Sequence, residues 1–181
     1  MQRNDELEHG LWWVQRWVSG SMDDPDWEWS EAEATGAERG FEAVRKAIGG
    51  VGSAGGEVWR YLCVSEAEAL RMEGEMTLLP HEHPFQSFTT GRLLAARAGA
   101  DLCREGEVDV LVRARPPAED VMFGMADLLT ARWAATWMGG IDHWHHQDEV
   151  VVRVAGPLPI LEVHRVDLDA ELADDASGPR F

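Results

Sequence analysis

The sequence predicts a single α+β domain, and three observations lead to this fold class. A chain of 181 residues is long enough to bury a hydrophobic core. Apolar residues make up 45% of it and charged residues only 27%, which argues against extended disorder. Segments with helical spacing of apolar residues alternate irregularly with segments rich in β-branched residues, without the strict repetition of a parallel α/β fold.

Two helices are predicted in the first 50 residues. Residues 7–18, LEHGLWWVQRWV, place apolar side chains near helical spacing. Ser30 and Glu33 have the spacing of a capping box, in which the serine caps the helix and the glutamate bonds back to it. We expect this second helix to end at Gly49-Gly50, because glycine commonly terminates helices.

The middle of the chain predicts a strand, a helix, a loop with a short strand, and another helix. Residues 57–64, EVWRYLCV, alternate as a strand does. Ser65 and Glu68 mark the start of the next helix. Residues 77–90 are predicted to form an irregular loop that enters a short strand, and residues 91–103 are predicted to be helical.

The clearest strand patterns lie in the second half of the chain. Residues 107–115, EVDVLVRAR, and residues 150–166, VVVRVAGPLPILEVHRV, combine β-branched residues with alternation. Residues 120–137 predict a short extended piece followed by a helix that ends at Gly139-Gly140. The C-terminal residues predict an acidic tail.

Composition restricts the function classes. The net charge is −17 and Lys46 is the only lysine, so the overall field repels phosphate backbones and disfavours nucleic acid as a partner. No apolar run approaches the roughly 18 residues of a membrane span, and the acidic N-terminus lacks the features of a secretory signal. We therefore expect a soluble, cytoplasmic protein without a membrane partner, in which Cys63 and Cys103 are buried thiols rather than a disulfide.

Polar residues lie on or beside predicted strands where the pattern favours apolar ones. Arg60 lies inside VWRYL, Ser87 and Thr89 lie in FQSFTT, and Gln147 and Glu149 lead the valine-rich strand. An arginine flanked by large apolar residues either pairs with an acid or faces a pocket.

In this order, the motifs resemble those of the Arg-Ser-Glu class of mono-ADP-ribosyltransferases, toxin-like enzymes that use NAD as a substrate. The resemblance covers roughly residues 40–166. It implies a fold of two small packed β-sheets that form an NAD cleft, with flanking N-terminal helices. It also implies a catalytic domain over residues 31–168, preceded by a Trp-rich extension over residues 1–30 and followed by a flexible acidic tail over residues 169–181.

The resemblance gives each matched residue a role. Glu149 would be the catalytic carboxylate, which stabilises the positive charge that develops on ribose when the nicotinamide leaves. Ser87 would hydrogen-bond Glu149 and the nicotinamide ribose, and Gln147 would orient the nucleophile. Arg60 would bind the dinucleotide. Thr89 is also placed with the NAD-binding residues and would stiffen the strand that carries Ser87.

The resemblance places Tyr61 with the NAD-binding residues, although the family commonly has glycine after the arginine that corresponds to Arg60.

The resemblance also indicates the acceptor. The loop GGIDHWHHQ before the catalytic glutamate would recognise the acceptor through Trp144 and His143. This chain has Gln147 where some family members have a first glutamate, two residues before the catalytic one. Family members with glutamine there generally do not modify arginine, which favours another protein side chain, or a nucleic-acid base, as the acceptor.

Three alternatives stay open at this stage. The first is an NAD glycohydrolase, which cleaves NAD without transfer. The second is a metal-binding protein, although we expect no metal because the histidines lack diagnostic spacing; they are His81, His83, His143, His145 and His146. The third is an interaction module, because five of nine tryptophans lie near the N-terminus, where we expect them to cap the domain; they are Trp12, Trp13, Trp17, Trp27 and Trp29.

Overall fold

The structure is a computed structural model, and it describes residues 5–18, 30–49, 56–80, 84–99, 103, 105–131, 133–134 and 148–166. Its helices are α1 (Asp5–Val18), α2 (Glu31–Ala47), α3 (Glu66–Glu75), α4 (Arg92–Gly99) and α5 (Met125–Thr130). Its strands are β1 (Val58–Ser65), β2 (Thr77–Leu78), β3 (Phe85–Thr89), β4 (Glu107–Ala114), β5 (Val121–Gly124), β6 (Glu149–Arg153) and β7 (Leu158–Arg165).

The strands form one open antiparallel sheet in the order β2-β7-β4-β1-β3-β6-β5. The predicted α+β class is therefore confirmed. The resemblance implied two small sheets, whereas the described strands form a single sheet because β1 and β3 pair through Trp59 and Thr89. Among the described residues, the backbones of the two halves of this sheet, β2-β7-β4-β1 and β3-β6-β5, are paired only there. We call this junction the seam.

The valine-rich segment that the sequence presented as one pattern contains two strands. β6 ends at Arg153 and β7 begins at Leu158, with a bend at residues 155–156 between them. Within residues 120–137, β5 is the predicted extended piece and α5 follows it as the predicted helix. α5 ends at Thr130, residues 133–134 are helical again, and the predicted helix end at Gly139-Gly140 lies outside the described residues.

The sheet buries a different core on each face. One face carries Val58, Phe88, Val150 and their neighbours, packed against Met72 of α3. The other face carries Phe85, Val151 and Phe123 under α1 and α2. Because side chains alternate along a strand, Ser87 and Glu149 share the second face with Phe85 and Val151.

Local hydrogen bonds explain where two helices begin. The Ser30 hydroxyl accepts from the Glu33 backbone N–H at 3.2 Å, and the Glu33 carboxylate accepts from the Ser30 backbone N–H at 3.0 Å. The predicted capping box is confirmed, and the hydrogen bond from the Ser30 side chain lowers the pKa of Glu33. The Ser65 hydroxyl caps α3 by accepting from the Glu68 backbone N–H at 3.2 Å, whereas the Glu68 carboxylate accepts from Arg71.

α1 and α2 pack closely because two glycines meet. A Cβ atom added at Gly10 would lie 2.3 Å from the carbonyl oxygen of Gly40, and one added at Gly40 would lie 2.9 Å from the Cα atom of Gly10. No side chain fits at either position, so this contact fixes how α1 sits on α2. Leu11, Val14 and Phe41 complete the buried contact around it.

Charged residues attach α2 to the sheet. Arg153 of β6 donates to Glu38 of α2 at 2.7 Å and to Asp120 at 3.1 Å. The hydrogen bond to Glu38 is the main cause that raises the pKa of Arg153. Arg45 of α2 donates to the backbone carbonyls of Ala118 and Glu119. α2 is therefore tied both to β6 and to the residues that precede β5.

Cys63 and Cys103 form a disulfide with a Cα–Cα distance of 5.2 Å, so the prediction of two thiols is wrong. Cys63 lies in β1, opposite Asp109 of β4, and the bond joins it to Cys103, which precedes β4 in the chain. Disulfides persist mainly in oxidising compartments, and the cytoplasmic location stays a prediction. No helix among the described residues is both long and apolar enough to cross a membrane.

Replacing both cysteines with serine is expected to lower the free energy of unfolding by about 4 kcal/mol, because the bond joins residues separated by 40 positions. Denaturant unfolding of the double variant, beside the wild type with and without reductant, measures this. A loss below about 1 kcal/mol in both the variant and the reduced wild type contradicts the expectation.

Gly10→Ala is expected to destabilise the protein by about 2 kcal/mol, because the added methyl group overlaps the Gly40 carbonyl. Gly36→Ala on α2 is the matched control. Its Cβ atom would lie 3.4 Å from the nearest atom, in ordinary contact, so higher helix propensity is expected to stabilise it by up to about 1 kcal/mol. Thermal unfolding of both variants tests the pair, and equal melting temperatures contradict it.

Candidate active site

A carboxylate and a hydroxyl from neighbouring strands form the centre of the candidate site. Thr89 and Glu149 are directly paired between β3 and β6, which places Ser87 two residues along on the same face. The Ser87 hydroxyl donates to Oε1 of Glu149 at 2.6 Å. The structure therefore brings together two of the residues that the sequence predicted as catalytic.

Glu149 also accepts a hydrogen bond from the N-terminal helix. The indole N–H of Trp17 donates to Oε1 of Glu149 at 2.7 Å. Glu149 is only 9% exposed, whereas the Ser87 side chain is exposed. A ligand would therefore reach the carboxylate from the side of Ser87.

Arg60 lies across the seam from this pair. Its Nη1 atom donates to the backbone carbonyl of Ser87 at 2.9 Å, and its guanidinium lies 5.6 Å from the centre of the Phe88 ring. The contact with Phe88 and the alternation of β1 place its side chain on the α3 face, opposite the Ser87 hydroxyl. The structure thus links Arg60 to Ser87 through the backbone.

Thr89 and its neighbours fix the end of the site. Thr89 pairs with Trp59 on one side and with Glu149 on the other, and its hydroxyl accepts from the backbone N–H of Gly91 at 3.3 Å. Thr90 bonds through its backbone N–H to the carbonyl of Asp148 at 3.1 Å. These contacts hold the start of β6 against β3, which is consistent with the predicted stiffening role of Thr89.

Tyr61 is not brought to the Ser87–Glu149 pair. Its hydroxyl donates to Asp109 of β4 and lies 3.3 Å from the sulfur of Cys103. Burial, followed by the hydrogen bond to Asp109, raises the pKa of Tyr61. In this position Tyr61 supports the disulfide region of the sheet.

Several predicted site residues lie outside the described residues. These are Gln147, Trp144 and His143, which the resemblance assigns to the nucleophile and the acceptor. His81, His83, His145 and His146, on which the metal-binding alternative depends, also lie outside the described residues. Within the described residues, potential metal ligands approach one another at Cys63, Cys103 and Glu107. Because the two sulfurs are joined in the disulfide, they do not offer thiolates there.

Trp17 was not predicted as part of the site, because the resemblance left it in the N-terminal extension. It lies seven residues after Gly10, about two turns along the same face of α1. Gln86 of β3 is also buried, at 2% exposed, but strand alternation places its side chain on the α3 face, opposite the Ser87 hydroxyl.

The arrangement suits stabilisation of a cation. Two donors hold a buried carboxylate beside an exposed hydroxyl, and a carboxylate in surroundings of low polarity interacts strongly with positive charge that develops near it. The same geometry suits binding of a sugar hydroxyl, because carboxylate oxygens accept such bonds well.

The sequence matches no protein-family model, and comparisons with curated proteins and with solved structures find no match. The geometry of the site is therefore the basis for any functional assignment.

Arg60→Lys is expected to lower the free energy of unfolding by about 1 kcal/mol, because lysine lacks the planar group that contacts both Ser87 and Phe88. Arg115→Lys is the matched control, since Arg115 is 63% exposed and pairs with Glu57 at the surface. Urea unfolding of both variants tests this, and an equal loss in the two would contradict it.

Proposed function

We propose that this protein is an NAD-dependent mono-ADP-ribosyltransferase. It cleaves the bond between nicotinamide and ribose and transfers ADP-ribose to a macromolecular acceptor. A protein side chain other than arginine is favoured as the acceptor, and a nucleic-acid base is the alternative. The observation that carries the proposal is the 2.6 Å hydrogen bond from Ser87 to Glu149.

Two further features support it. Arg60 contacts the backbone of Ser87 across the seam, which links the three residues of the sequence motif, although the Arg60 side chain lies on the sheet face opposite the Ser87 hydroxyl and Glu149. Glu149 begins β6, and the segment GGIDHWHHQ, to which the resemblance assigns acceptor recognition, precedes it in the sequence. The proposed NAD site lies beside Ser87, on the sheet face that it shares with Glu149.

The chemistry requires a carboxylate near the ribose. When the glycosidic bond breaks, the electron pair leaves with nicotinamide and the ribose gains positive charge. Glu149 stabilises this charge and binds a ribose hydroxyl, while Ser87 maintains the orientation of the carboxylate. The acceptor atom then forms a new bond to the same ribose carbon and loses its proton to solvent or to a nearby base.

A second candidate is NAD hydrolysis, in which water is the nucleophile. The 9% exposure of Glu149 favours it, because a small nucleophile reaches an enclosed carboxylate more easily than a protein side chain does. Both functions share the same cleavage step, so they differ only in where the ADP-ribose goes.

Glu149→Gln is expected to reduce the rate of nicotinamide release from labelled NAD by roughly 100-fold, because the amide carries no charge to stabilise the ribose cation. Asp148→Asn is the matched control, since Asp148 is the exposed neighbour and contacts Thr90 instead. Purified variants are compared in the presence of a cell lysate. Nicotinamide and label retained on protein or nucleic acid are both counted.

Each outcome has one interpretation. Label on a macromolecule that is lost in Glu149→Gln supports transfer and identifies the acceptor class. Nicotinamide release without retained label supports the glycohydrolase. No NAD cleavage by the wild type, or equal rates in wild type and Glu149→Gln, overturns both.

A further inference from the structure

The N-terminal helix contributes directly to the candidate site. Trp17 is 6% exposed and bonds to Glu149 across 132 residues of sequence. Its ring packs edge-on against Phe41 of α2, with ring centres 6.1 Å apart. The indole is therefore held by packing on one side and by a hydrogen bond to the carboxylate on the other.

The position of Trp17 follows from the contact between the helices. Gly10 touches Gly40 too closely for any side chain, and Trp17 lies about two turns farther along α1. Val14 lies between them on the same buried face. A helix that is fixed at Gly10 thus delivers the indole N–H to a defined point above β6.

The geometry constrains the carboxylate strongly. Ser87 and Trp17 donate to the same oxygen of Glu149, at 2.6 and 2.7 Å. Two donors from different elements hold this oxygen in a defined position. A preorganised carboxylate stabilises developing charge without the cost of reorientation during the reaction.

We propose that Trp17 is a positioning residue for Glu149, and that α1 therefore belongs to the catalytic unit. This inference rests on the proposed function. Trp17 acts through the carboxylate and has no role in binding the adenosine or phosphate part of NAD. Its loss consequently affects turnover rather than the affinity for NAD.

Trp17→Phe tests the inference because phenylalanine keeps an aromatic ring beside Phe41 and removes the N–H donor. We expect kcat for nicotinamide release to fall about tenfold while KM for NAD stays within about twofold. Trp13→Phe is the matched control. Trp13 is 3% exposed on the same helix, and its indole bonds to His9 instead of Glu149, so kcat is expected to be unchanged.

A second measurement does not require activity. In ¹H–¹⁵N spectra of the full chain, Glu149→Gln is expected to shift the indole N–H resonance of Trp17, because the charged acceptor is removed. The indole resonance of Trp13 is expected to stay in place. Assignment uses the two Trp→Phe variants.

The outcomes separate the two proposals. An indole shift with no NAD cleavage by the wild type shows that the contact exists and that the proposed function fails, and the positioning role fails with it. Cleavage that is equal in Trp17→Phe and the wild type, or faster in Trp17→Phe, overturns the positioning role alone. Equal losses in kcat for Trp17→Phe and Trp13→Phe also overturn it, because they indicate a general effect on α1.

Discussion

A buried carboxylate must be stabilised by hydrogen bonds, and this constraint governs the centre of the structure. Glu149 is nearly inaccessible, and desolvation of an ion without partners costs several kcal/mol. Ser87 comes from the adjacent strand and Trp17 from a helix at the other end of the chain. The register of β3 against β6 and the placement of α1 over the sheet are therefore both coupled to one side chain.

The close contact of Gly10 with Gly40 positions the Trp17 indole near Glu149. Helices that carry ordinary side chains pack with their axes 8–10 Å apart, and glycine at the crossing point permits a closer approach. Gly10 lowers the helix propensity of α1, and the tight buried contact with α2 offsets this cost. Arg153 and Arg45 in turn attach α2 to the sheet, so both helices are connected to the strands that carry the site.

Local sequence patterns predicted much of this fold, but they do not specify contacts between residues that are far apart in the chain. The helix caps and the strand alternation depend on neighbours within a few residues. The pairing of Ser87 with Glu149 was inferred from the resemblance instead. The contact of Trp17 with Glu149 joins residues 132 apart, and no local signal specifies it. The disulfide joins two cysteines whose sequence surroundings are those of ordinary buried thiols. Its formation depends on the fold that brings Cys103 next to Cys63 of β1.

The seam explains why an arginine occupies a strand between large apolar residues. β1 and β3 share one residue pair, so backbone pairing does not continue between the strands at Ser87. Arg60 extends across this gap and donates to the Ser87 carbonyl, a bond that helps hold the two halves of the sheet together. Arg60 thus has a structural role whether or not it binds a dinucleotide, and its substitution alters stability in either case.

Glu149 also holds α1 and β3 through its hydrogen bonds with Trp17 and Ser87. A buried carboxylate nevertheless costs desolvation energy that an apolar residue at the same position would avoid. For this reason the functional proposal depends on Glu149 and not on Arg60.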